Sequence, residues 1–102
     1  MRDLPTRAID YRPVSSLTPA RRNARTHSRK QIRQIATSIE RFGFTNPVLV
    51  DDEGAIIAGH GRVAAAKLLG IDQIPVVPLG DLTSKERQAY ALADNKLALN
   101  AG

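Results

Sequence analysis

Two stretches of this 102-residue chain hold the residues best suited to chemistry: Gly59-His60-Gly61-Arg62, inside "IIAGHGRVAAAKLLG", and the run "RRNARTHSRKQIR" at 21–33. The first opens a helical segment without the Ser, Thr, Asp or Asn that usually caps the leading amides. Those amides point outward with partial positive charge. Gly59 and Gly61 let the backbone approach closely and take positive φ, and Arg62 adds a forked cation in the first turn. Such a turn can cradle a phosphate. The alternative is a tight strand-to-helix turn with Arg62 in a salt bridge, and His60 suits either reading.

The second run carries Arg21, Arg22, Arg25, Arg29, Lys30 and Arg33 with no acid between them. Six unrelieved cations form either a solvated face or a surface for an anionic partner. Arg29, Lys30 and Arg33 fall in the first turns of a helix, where the dipole favours negative charge instead. An anion held between the 21–33 segment and the Gly59–Arg62 turn would relieve both anomalies. The wider charge pattern agrees: residues 1–50 carry ten Lys/Arg against three Asp/Glu, a net of +7, and residues 51–102 carry five against seven, a net of −2.

The elements that must position these residues follow from periodicity. "RAIDYRPV" can hold one short strand. From Ser28, Ile32, Ile35, Ala36, Ile39 and Phe42 recur at helical spacing, with Gly43 in the left-handed position that ends the helix and Pro47 forbidding its continuation. Residues 47–59 read as a β-hairpin around Asp51-Asp52-Glu53-Gly54, so the Gly-rich turn follows a strand. A second helix covers Arg62–Leu69, closed by Gly70. "QIPVVPL" is a strand placed at an edge, because Pro75 and Pro78 cannot donate to a ladder. Thr83 and Glu86 form a capping box opening a third helix to about Leu92, continued beyond a bend near Asp94-Asn95.

Composition removes several function classes. Without cysteine there is no thiol catalysis, disulfide scaffold or Cys-ligated metal, and His27 and His60 alone do not make a zinc site. Two Tyr, two Phe and no Trp leave few rings for stacking bases. No 18-residue apolar run or leader is evident, so the expected location is cytoplasmic, with no membrane partner. No G-K-[ST] follows the turn. Gly59-His60-Gly61-Arg62-Val63-Ala64 matches a dinucleotide fingerprint, with Asp81 downstream, but the strand before it lies in a hairpin rather than a parallel sheet.

"RKQIRQIATSIERFGFTNPVLV", "IIAGHGRVAAAKLLG" and "IPVV", in that order, resemble the N-terminal domain of the ParB/sulfiredoxin superfamily over most of residues 14–100. With "ALADNKLAL" following, the chain is most similar to the ParB-like domains found in phage and bacterial proteins, often ahead of a DNA methyltransferase. The resemblance implies an α+β fold in which a small mixed sheet with a β-hairpin packs against three to four helices. It implies one domain over residues 1–102, expected to be part of a longer protein.

In ParB the corresponding turn, Gly-Glu-Arg-Arg, binds the triphosphate of CTP, which assigns nucleotide contacts to Gly59, His60, Gly61 and Arg62. Asn23 and Arg25 are similar in position to a basic box that precedes it, and Asp94 and Asn95 to residues that hold Mg²⁺. The implied cofactor is a nucleoside triphosphate, CTP or ATP, with Mg²⁺. His60-Gly61 replaces Glu-Arg and removes a cation, so the preference for CTP does not carry over. Sulfiredoxin's catalytic cysteine falls at His60, which excludes that activity here.

The expected role is a nucleotide- or phosphate-binding module of a DNA-associated protein in partition, DNA modification or transcription regulation. Weak non-specific DNA binding through Arg21, Arg22, Arg29, Lys30 and Arg33 belongs to this reading, as does a homodimer of the full-length protein. The isolated domain is not expected to be an enzyme. The alternatives are a small-molecule kinase like the free-serine kinases, with Glu40 as base, or a ParB-like nuclease, for which Asp51, Asp52 and Glu53 cluster.

Overall fold

The structure is a computed structural model that describes residues 7–19 and 27–101; the side chains of residues 91 and 94–101 lie outside that description. The chain runs β1 (Asp10–Pro13), a 3₁₀ turn (Val14–Ser16), α1 (Arg29–Phe42), β2 (Val48–Val50), β3 (Ile56–Ala58), α2 (His60–Leu69), β4 (Gln73–Pro78) and α3 (Ser84–Ala101). Four strands form one mixed sheet in the order β1-β4-β2-β3, with β2 and β4 parallel and the other pairs antiparallel. The α+β architecture, the hairpin and the three helices agree with the sequence reading.

Strand β4 does not lie at an edge. It occupies the sheet interior, and the register shows how its two prolines are tolerated. Val14 N donates to Asp72 O and Leu79 N to Val50 O, so even-numbered amides of β4 face β1 and odd-numbered ones face β2. Pro75 therefore lacks its donor on the β2 side, level with Pro47, just before β2 begins. Pro78 lacks its donor on the β1 side, level with Ala8, beyond the end of β1. Each proline sits where the neighbouring strand has already stopped.

The segment from β1 to Thr18 touches both edges of the sheet. After β1 has paired with β4, Thr18 bridges to Ala55 beside β3, with Thr18 N donating to Gly54 O at 3.0 Å and Ile56 N to Thr18 O at 2.8 Å. Four strand spacings in a flat sheet would span roughly 19 Å. The five residues from Pro13 to Thr18 reach at most ~17 Å even fully extended, and one 3₁₀ turn shortens them. The sheet must therefore curl. Gly54 lies at the closure, with φ +85° and a Cβ position 2.8 Å from Ser16 O.

The concave face buries Val48, Val50, Ile74 and Val76 against Val14, Leu17, Val63 and Ala66. Over it, α1 packs on α2 through Ala36, Ile39 and Ala65, joined by Ile32, Ile35 and Phe44. Ile57, Val77 and Leu79 form a smaller cluster on the opposite face with Leu49 and Leu82. Phe42, expected in the buried stripe, is 65% exposed, with the Arg41 guanidinium 5.2 Å from its ring centre. Phe44 takes the inward place, because Gly43 (φ +79°, ψ −172°) turns the chain back through an extended rather than a left-handed helical conformation.

The helix ends show their local causes. Ser28 caps α1 through a reciprocal box with Gln31 (3.1 and 2.9 Å), and Thr83 caps α3 through a similar box with Glu86 (3.1 and 2.9 Å). Gly70 ends α2 at φ +72°, with Gly70 N donating to Lys67 O and Ile71 N to Ala66 O, a Schellman closure. Two boundaries differ from the sequence reading. Helix α2 starts at His60 rather than Arg62, because Gly59 alone makes the turn, and α3 is one continuous element past Asp94-Asn95.

These closures predict a difference between two glycines of similar φ. Gly70→Ala meets nothing within 4 Å and should cost only the left-handed penalty, about 1–2 kcal/mol. Gly54→Ala must in addition displace the Ser16 carbonyl, so its urea unfolding midpoint should fall further. Equal midpoints would contradict the sheet closure.

Candidate functional site

Strand β3 passes into α2 through Gly59, whose φ of +106° and ψ of 24° complete the turn in one residue. Gly59 brings no side chain to cap this start, and no acid lies in the first turn. Val63 N is the first to reach back, to Gly59 O at 3.0 Å. The amides of His60, Gly61 and Arg62 therefore have no acceptor within the helix, and they form an electropositive end beside the sheet.

Arg62 is half-buried, and its guanidinium folds inward. Its NH2 donates to Pro47 O at 3.2 Å and lies 3.0 Å from where a Gly59 Cβ would be. Val48 Cγ2 stands 3.2 Å from the same position. The fork thus ties the start of α2 to the residue before β2 and places its charge behind the turn. A structural role for Arg62 in this turn is therefore present in its bond to the Pro47 carbonyl.

Gly61 explains how α1 joins the site. It is buried, and a Cβ there would lie 2.8 Å from Ile35 Cδ1 and 2.9 Å from His27 Nε2. His27, the residue before the α1 cap, is thereby seated against the first turn of α2. The His60 imidazole is held below its ordinary value, first by partial burial and second by the nearby charge of His27. The sequence reading set the 21–33 segment, which contains His27, beside the turn but gave the His27 side chain no contact of its own. The available signal was the pairing of small residues at Gly61 and Ala65 with Ile35, Ala36 and Ile39, which lets the two helices approach closely, but sequence spacing does not say which ends meet.

The structure brings Gly59, His60, Gly61 and Arg62 together. Arg29, Lys30 and Arg33 are exposed on the first turns of α1; Lys30 lies opposite the stripe of Ile32, Ile35, Ala36 and Ile39, and Arg29 and Arg33 lie along its border. Glu40 is exposed and lies five residues beyond Ile35, about 140° around the helix, so it does not face the Gly61 contact. Asp51 spends its carboxylate inside the hairpin turn, with Oδ1 accepting from Glu53 N and Ala55 N. Among the described residues no group of three or more His, Asp or Glu could hold a metal ion. Arg21, Arg22, Asn23 and Arg25 lie outside the described residues, and Asp94 and Asn95 lie on α3 with side chains outside the description.

With this geometry in place, comparison with known proteins gives its lineage. The chain is 54% identical over 80 residues to the ParB-like nuclease domain-containing protein YnaK of Escherichia coli K12, covering 78% of this chain and 92% of that protein. Its fold superposes on the C-terminally truncated chromosome-partitioning protein ParB of Caulobacter crescentus, complexed with CTP-γ-S, with a TM-score of 0.78, 23% identity, and coverage of 86% of this chain and 52% of the other. Sulfiredoxin of Arabidopsis thaliana aligns with a TM-score of 0.65, 20% identity, and coverage of 83% and 97%. The chain also spans 32% of the chromosome-partitioning protein Spo0J of Thermus thermophilus, to which it is similar. The model of the ParB N-terminal domain matches residues 2–96, and the chain belongs to that family.

Proposed function

We propose that this domain binds the phosphates of a nucleoside triphosphate at the start of α2. The observation that carries the reading is the set of amides at His60, Gly61 and Arg62, which precede the first bond within the helix, beside two imidazoles and a buried-side guanidinium. The relation to a ParB solved with CTP-γ-S supports a nucleotide as the source of those phosphates. Asn23 and Arg25 precede His27 by four and two residues in the chain, and this reading gives them further contacts to the ligand. Asp94 and Asn95 would supply oxygen ligands to a Mg²⁺ ion accompanying the triphosphate. With Gly61 serving helix packing, selectivity between CTP and ATP belongs to other residues.

The exposed Arg29, Lys30 and Arg33, continuing the basic run of residues 21–25, favour a second, weaker role in holding duplex DNA through its phosphates. The first two helices are separated by the hairpin, so no helix-turn-helix pair reads base edges. We place the protein in the cytoplasm as a DNA-associated dimer acting in partition, DNA modification or transcription regulation.

Two outcomes test these readings. Arg62→Ala removes the forked cation of the first turn together with its bond to Pro47, and by calorimetry it should weaken CTP and ATP binding by about 1.5–3 kcal/mol, the range of a charge-assisted hydrogen bond. Unchanged nucleotide affinity in an Arg62→Ala protein that is still folded would move the site elsewhere.

For DNA, replacing Arg29, Lys30 and Arg33 by Ala should flatten the dependence of log affinity on log salt by up to about 0.9 for each lost phosphate contact. Fluorescence anisotropy with a labelled duplex reads this directly. An unchanged slope would show that this face does not touch DNA.

A further inference from the structure

Strand β1 ends the sheet on one side and pairs, among the described strands, with β4 alone. In that antiparallel pair Val14 N donates to Asp72 O, so Asp10 and Arg12 turn their backbone groups to β4, and Ile9, Tyr11 and Pro13 turn theirs outward. Pro13 brings a carbonyl but no N–H. The outer side of β1 is thus a short row of donors and acceptors with no strand against it among the described residues, an arrangement to which another strand can add.

The two faces of the strand differ. Tyr11 stands opposite Pro75, and Val77 opposite Leu49, so Ile9 and Tyr11 continue the face that holds Ile57, Val77 and Leu79. Helix α3 packs on β3, at the other end of the sheet order. Ile9 and Tyr11 are 59% and 64% exposed. On the opposite face Arg12 Nε donates to Asp10 Oδ2 at 3.1 Å, and both side chains remain accessible to solvent. Charge and proline commonly keep an edge strand single. Here the two charges are of opposite sign and two residues apart, which repels a copy of the strand in some registers and attracts it in one.

We propose that β1 pairs with β1 of a second copy of this chain, antiparallel about a two-fold axis at Tyr11. The pairing names the surface of the DNA-associated dimer and rests on that reading. A two-fold axis at Asp10 or at Arg12 sets like charges face to face, and one at Ile9 sets Asp10 opposite Ala8 and gains no ion pair. The axis at Tyr11 puts Asp10 opposite Arg12 of the second copy, and the reverse. These are non-hydrogen-bonded pairs, the positions at which cross-strand side chains lie nearest. Tyr11 and its copy exchange backbone bonds, and Ile9 N donates to the Pro13 carbonyl at each end. On the other face the two Tyr11 rings meet and Ile9 lies against Pro13, covering apolar surface that one copy leaves open. A strand this short makes an interface below the ~1,200 Å² of stable complexes, so association is weak and follows concentration.

Analytical ultracentrifugation of the whole chain from micromolar to millimolar concentration, with the amides of Ile9–Arg12 followed by NMR, tests the pairing. Wild type should move from monomer toward dimer, and those amides should shift along the same curve. Asp10→Arg sets an arginine opposite Arg12, and Arg12→Asp sets an aspartate opposite Asp10. Each variant alone should associate at least about tenfold more weakly than wild type. Mixed in equal amounts the two variants should recover association, because every close pair then joins opposite charges. Both substitutions fall on a solvent-accessible ion pair, whose loss changes stability little.

Wild-type association that is unchanged in both variants, or that shifts amides elsewhere and not at Ile9–Arg12, would overturn the β1 pairing and leave a dimer through another surface. A mixture that associates as weakly as its two components would also overturn it. A wild-type chain that stays monomeric at every concentration would overturn both the pairing and the dimer, leaving the edge to a strand from another protein.

Discussion

Gly59 converts strand β3 into helix α2 in a single residue, at a φ of +106° that a side chain makes costly. Everything at this end of the molecule depends on that turn. Because it takes one residue and that residue is a glycine, the N-cap position brings no side chain to the leading amides of α2. Because Gly59 lies against Val48, Arg62 can fold underneath and bond Pro47, which fixes the helix start to the sheet. The next glycine then receives α1: Ile35 and His27 pack where a Cβ would be. One backbone conformation thus aligns the starts of two helices.

Much of this was legible in the sequence, and the departures have identifiable causes. Helix α1 and the hairpin are announced by periodicity, and the glycine start of α2 by the missing Ser, Thr, Asp or Asn at its N-cap. Pro75 and Pro78 pointed to an edge strand, since a ladder needs donors. The neighbouring strands are so short that both prolines fall beyond their ends, a fact of register that no single segment encodes. Phe42 continued the apolar stripe, but Gly43 reverses the chain and gives the core position to Phe44. The contact of His27 with Gly61 joins residues 34 apart and required the relative placement of α1 and α2.

Charge and fold divide the molecule's tasks. The apolar face of α1 is committed to α2, so its cations at Arg29, Lys30 and Arg33 must face solvent. The α2 start is bounded by Pro47 and Val48 on the sheet side and by His27 and Ile35 on the α1 side. The proposed phosphate site at this partly buried start and the proposed DNA contacts on the exposed cations are therefore separate. Membership of the ParB N-terminal domain family is consistent with this division, while the longer relatives, of which this chain spans only part, carry further segments of their own.

The central claim is that phosphate binds at the uncapped start of α2. The most direct measurement is a crystal structure of this chain grown with CTP or ATP and Mg²⁺. The account predicts phosphate oxygens within about 3 Å of the His60, Gly61 and Arg62 amides, the normal reach of an N–H···O bond. Phosphates bound instead on Arg29, Lys30 and Arg33, with the α2 amides facing only water, would contradict it.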